Sequence, residues 1–183
     1  MNFPKLAYKC AAAILCAVSL ASCSGQSFLT PSAPNLNKQL ALTAHFTSGD
    51  SSFTADFVRT SVGKWQVTVT EPYEVQGVTF TYSGGNASAS FGDFSADTLT
   101  ADFAASPPAL IISALENTVQ DNAANVTYQA DTYTVQSGSC TLTFPQGSAA
   151  PVAIELPELK AEISNFKVTG EIFPDDVDVI VNE

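Results

Sequence analysis

Few side chains in this 183-residue chain could do chemistry. His45 is the single histidine, and the cysteines are Cys10, Cys16, Cys23 and Cys140. An enzyme needs a positioned base or nucleophile, and His45 falls among Thr43 and Thr47, opposite Phe46, as a surface or rim residue. The chain carries no Gly-x-Ser-x-Gly elbow, phosphate loop or His-Glu-x-x-His run. One histidine and one spare thiol are too few for a nitrogen–sulfur metal centre. Asp175, Asp176 and Asp178 could meet a hard cation, but they lack the glycine turn and distal glutamate of a calcium loop. They read instead as a solvated acidic tail, and Asp93, Asp97 and Asp102 read the same way. The expectation is a protein that is not an enzyme and holds neither metal nor cofactor.

Cys23 stands apart. Lys5 and Lys9 precede an uncharged apolar stretch, Ala11 to Ala21, about half the ~20 residues of a membrane-spanning helix. Small residues Ala21 and Ser22 suit a peptidase cut before Cys23. Leu20-Ala21-Ser22-Cys23 resembles the bacterial lipobox, which implies diacylglyceryl transfer to the Cys23 thiol. An ordinary secretory signal ending near a cysteine is the alternative. Lipidation implies stable anchoring through two chains, palmitate-like in length, outside the cytoplasm. Ser24, where Asp is absent, resembles an outer-membrane destination in a double-membraned cell; a cell membrane remains open. Residues 1–22 are thus read as signal peptide. Residues 23–38, broken by Pro31 and Pro34, are read as the lipidated cysteine and a flexible tether.

Removing the signal leaves five basic residues against eighteen acidic ones, a net charge of −13. Phosphate backbones and anionic lipid are repelled by such a chain. Nucleic acid is therefore excluded as a partner, and a membrane must be held through the lipid. With Cys23 modified, Cys140 has no disulfide partner. It shares a side with Leu142 and Phe144, as a small core residue.

The elements that must position these residues follow a period of two. Alternating runs start near Leu40, Phe53, Trp65, Val78, Ala87, Val126, Cys140, Val152 and Ala161. Ser106-Pro107-Pro108 opens the one helical segment, with a hydroxyl cap followed by prolines suited to a first turn. Leu110, Ile111, Ala114, Leu115 and Val119 follow at helical spacing. The expected fold is mainly β, of the α+β class. It is a curved antiparallel sheet or half-barrel of about nine strands, with one helix packed in its concave face. It occupies residues 39–170, ahead of an acidic tail at 171–183. Arg59, the only arginine, is expected on the solvent face of its strand.

Nine strands at ~4.8 Å span roughly 43 Å if flat, and a helix is only about 10–12 Å across. The apolar face is then under-covered and could leave a ligand groove. A sandwich or a closed barrel that fills itself is the alternative. The candidate lining is Trp65, Val67, Val78, Phe80, Tyr82, Ile111, Leu115, Leu142 and Phe144.

The stretches Trp65–Pro72 and Gly77–Gly84, the later Pro151–Ile154 and Phe166–Val168, and the interposed helix resemble a known family. They are similar to small bacterial lipoproteins related to the LolA and LolB lipoprotein-localisation factors and to LppX-type lipid carriers. The resemblance spans roughly residues 40–170. It implies an incomplete antiparallel barrel with a hydrophobic cavity for acyl chains, and a membrane-anchored binder of a lipid or acyl chain. Arg59 does not align with that family's gating arginine. The alternative is a structural β-module without a ligand that meets another envelope protein, with Gly84 to Asp97 as its exposed loop.

Overall fold

The computed structural model describes residues 34–96, 105–120 and 124–171. Cys23, the signal, most of the tether and residues 172–183 of the tail lie outside the described residues.

Among the described residues eleven strands and one α-helix follow one another along the chain, with a single 3-10 turn at Tyr73–Val75. They are β1 Lys38–Ser48, β2 Ser51–Ser61, β3 Lys64–Glu71, β4 Thr79–Ser83, β5 Asn86–Phe91 and β6 Phe94–Ala96. Helix α1, Pro107–Gln120, comes next. Then come β7 Asn125–Tyr128, β8 Thr132–Ser137, β9 Cys140–Pro145, β10 Ala153–Leu156 and β11 Leu159–Glu171. All strands join one antiparallel sheet in the order β6-β5-β4-β3-β2-β1-β11-β10-β9-β8-β7, open at β6 and β7.

Two features raise the count from nine to eleven. The run from Val126 to Gln136 is a hairpin rather than one strand, because Gln129 N–H bonds Thr132 O and reverses the chain. A further short strand follows β5, through a Gly92-Asp93 turn. Gly92 sits at φ +56°, a conformation in which a side chain would be strained. Most of the segment expected as an exposed loop from Gly84 is therefore paired strand; Asp97 lies outside the described residues. At the other end, Leu36 is already buried and Lys38 opens β1, so the folded unit takes in the last residues assigned to the tether.

Alternation builds the core. Leu40, Leu42, Ala44 and Phe46 of β1 are buried, as are Ala55 and Phe57 of β2 and Trp65, Val67 and Val69 of β3. On the other side of β1, Ala161 and Ile163 of β11, Ile154 of β10 and Leu142 and Phe144 of β9 continue the same face. Helix α1 supplies Ile111, Ile112, Ala114 and Leu115 to this cluster. Ser106 O accepts the first helical bond, from Leu110 N–H at 3.0 Å, and prolines occupy the first two helical positions.

Curvature follows from two contacts of the helix. Glu116 accepts a bond from Trp65 on β3, while Thr118, two residues on, meets Cys140 on β9. Those strands are five spacings apart, about 24 Å if the sheet were flat. A helix about 10–12 Å wide reaches both only because the sheet bends around it. The helix lies in the concave face.

Candidate apolar binding site

The concave face does not end where the helix ends. Register carries it outward. Val67 opposes Phe80, Phe80 opposes Ala89, and Ala89 opposes Ala96. Phe91 opposes Phe94 at the hairpin tip. Because directly paired residues share a face, the inner surface of β4, β5 and β6 extends the core surface, and among the described residues no helix lies over it. Phe91 is 51% and Phe94 80% exposed. Full burial of such a side chain is worth about 1.5–3 kcal/mol, so this surface has free energy to gain from an occupant.

Two adjoining hollows lie on it. One, of about 250 Å³, is bounded by Phe46, Phe53, Val69, Val75, Val78 and Phe80, and by Ser106, Pro107 and Pro108 at the start of α1. It exceeds the ~150 Å³ apolar cavity that admits benzene in an engineered protein. The other, of about 230 Å³, is bounded by Val78, Ala89, Phe91, Phe94 and Ala96. Val78 belongs to both. Small side chains at Ala89 and Ala96 keep the second hollow open between the two phenylalanines. Together they form an apolar trough leading from the helix start to the sheet edge.

The nine residues expected as lining divide between the trough and the core. Val78 and Phe80 line the trough. Trp65, Val67, Ile111, Leu115, Leu142 and Phe144 are buried in the core cluster, each 2% exposed or less. Tyr82 is half-buried against that cluster. Its hydroxyl meets Ser106 at the helix start, and burial pushes its pKa up to about 12, partly offset by that hydrogen bond. Phe46, Phe53, Phe91 and Phe94 were not among the expected lining. For Phe46 and Phe53 the sequence signal was already present in their alternating runs.

Arg59 corrects the expectation that it faces solvent. The alternation through Phe53, Ala55 and Phe57, carried two residues further, turns it inward, and it is 1% exposed. Its Nη1 donates to Leu36 O at 3.0 Å and its Nη2 to Glu116 Oε2 at 2.9 Å. Its Nε lies 2.9 Å from Glu116 Oε1. The same carboxylate accepts from Trp65 Nε1 at 2.7 Å and from Gly63 N–H at 3.3 Å. The Arg59 guanidinium also stands 5.9 Å from the Trp65 ring centroid, within cation–π range. A buried charge survives only when paired and hydrogen-bonded. Glu116 does this for Arg59 and fastens the helix to β2 and β3. Sequence reading missed Glu116, which follows Leu115 on the helix without any motif to mark it.

Cys140 is buried and unpaired. Burial pushes its thiol up to about 11, the Thr118 hydroxyl offsetting part of the shift. A thiol so held is a core group and a poor nucleophile. The outer face is polar. His45 Nδ1 lies 3.1 Å from Thr54 Oγ1, which donates to Glu71 Oε2 at 2.9 Å. Thr43 donates to Asp56 at 2.7 Å. His45 is thus on the opposite side of the sheet from the trough.

No family model and no curated protein matches this sequence. Solved structures do resemble it. An uncharacterised conserved protein from Thermus thermophilus aligns at 10% identity and TM-score 0.47, covering 74% of this chain and 82% of its own. A LolA superfamily protein, NE2245 from Nitrosomonas europaea, aligns at 12% identity and TM-score 0.42, covering 78% and 89%.

Proposed function

We propose that this chain is a lipid-anchored extracytoplasmic domain that holds a hydrophobic chain, a lipid or acyl group, along the inner face of β4–β6. The observation that carries the reading is the trough itself: an apolar continuation of the core surface that no helix covers among the described residues, with Phe91 and Phe94 exposed. The anchor rests on the sequence around Cys23, and a bacterial cell membrane or outer membrane is the surface it would occupy. The domain acts by binding rather than by catalysis. In support, the single histidine is tied into a surface ladder of threonine and carboxylate groups away from the trough.

The test is binding of an uncharged, polarity-sensitive dye such as Nile red by the purified full chain. A saturable blue shift that Ala89→Trp abolishes supports the reading. Absence of any shift, together with a bare protein mass in native mass spectrometry after gentle purification, overturns it.

A second reading has its own observation. Among the described residues strand β6 is paired on one side only and carries the exposed Phe94, so an envelope protein could add a strand there. A co-purifying protein lost on Phe94→Lys, in a chain that takes up no dye, would favour it.

A further inference from the structure

Resting on that reading, we infer that the trough selects against anionic ligands: its occupant is an alkyl or acyl chain whose head is uncharged or cationic, not a free carboxylate or a phosphate.

The argument starts from how few cations the protein has. Beyond the signal they are Lys38, Arg59, Lys64, Lys160 and Lys167. None lines either hollow. Lys38 opens β1, eight residues or about 26 Å along the strand from Phe46, and pairs with Glu171. Arg59 is about 20 Å along β2 from Phe53 and is committed to Glu116. Lys167 opposes Ala41, near the Lys38 end of β1. Lys64 falls on the outer face, alternating with the buried Trp65 and Val67. Lys160 is exposed and bonded to Glu155 at 2.9 Å, alternating with the buried Leu159 and Ala161.

Acids flank the trough instead. Asp50 follows Ser48 through the β1–β2 turn, Glu74 adjoins Val75, and Asp93 lies between Phe91 and Phe94. An anionic head would enter a field of its own sign.

The helix start offers an anion fewer donors than usual. A helix N-terminus ordinarily offers unpaired N–H groups and a positive dipole end. Here the first two helical positions are Pro107 and Pro108, which have no N–H. The Leu110 N–H is already bonded to Ser106 O. The wall presented to a ligand at this point is two pyrrolidine rings and Ser106, whose hydroxyl meets Tyr82.

The experiment is competition for bound Nile red in the full chain, with dodecan-1-ol, dodecylamine and dodecanoate as probes of equal chain length. Displacement by the alcohol and the amine, with dodecanoate at least about fivefold weaker at low ionic strength and the gap narrowing in salt, is the expected result. Asp93→Lys, an exposed change at the hairpin turn, should then improve dodecanoate and leave the alcohol unchanged. Dodecanoate equal to the alcohol, or unaffected by Asp93→Lys, overturns the inference while leaving the binding reading intact. Failure of the dye itself to bind removes both.

Discussion

Arg59 on β2 and Glu116 on α1 meet at 2.9 Å across 57 residues of sequence, and this pair joins the helix to the half of the sheet that leads toward the trough. The carboxylate also holds Trp65 Nε1 and Gly63 N–H. One side chain thereby satisfies a buried guanidinium, an indole and a turn.

Removing Glu116 should be costly for that reason. Breaking a buried pair by deleting one partner costs about 3–5 kcal/mol, because the other charge stays buried. Glu116→Ala is expected in that range by urea unfolding. Glu116→Gln, which keeps an acceptor for Trp65, should lose less. An Arg59→Met/Glu116→Leu double variant should lose less than Glu116→Ala alone. Equal stability of Glu116→Ala and the native chain would show that the pair does not fasten the helix.

Stability should fall in alkali. Cys140 and Tyr82 both have folded pKa values raised by burial, from 9.0 to about 11 and from 10.0 to about 12. Below pH 9 both folded and unfolded chains keep these protons, so the contribution is fully present. Above it the unfolded chain releases them first, and stability is lost as pH rises through the folded values. Urea midpoints at about pH 8 and about pH 11 should show the drop. Cys140→Ala combined with Tyr82→Phe should flatten it.

Ala89→Trp should block the second hollow without unfolding the domain, because Ala89 faces the open trough opposite Phe80. Dye uptake should fall at least about tenfold, with unfolding free energy changed by no more than about 0.5 kcal/mol, as expected of a change outside the packed core. Unchanged uptake would place the dye elsewhere.

Cys23→Ser should release the protein from membranes. Two acyl chains anchor stably where none remains in the variant. The native chain is expected in the membrane fraction, with an intact mass showing acylation at its N-terminal residue. The variant is expected in the soluble fraction. A native chain found soluble and unmodified would sink the anchor.

Alternation and turn residues by themselves determined much of the molecule. Strands through Leu40, Phe53, Trp65, Cys140 and Ala161, the helix opened by Pro107 and Pro108, and the inward thiol of Cys140 were legible because a pleated strand faces alternate sides and proline suits a helix's first turn. The excess of strand over helix was legible too, since element widths are fixed by backbone geometry. Tertiary structure alone decided where that excess lies. Val78 and Phe80 border the trough while Leu142 and Phe144 are packed in the core, although all four belong to similar runs; the helix position over the sheet separates them. Arg59 is inside because Glu116, far along the chain, comes to meet it, and no local pattern encodes a partner 57 residues away. Phe91 and Phe94 lie side by side and exposed because a two-residue turn pairs them at the β6 edge of the sheet.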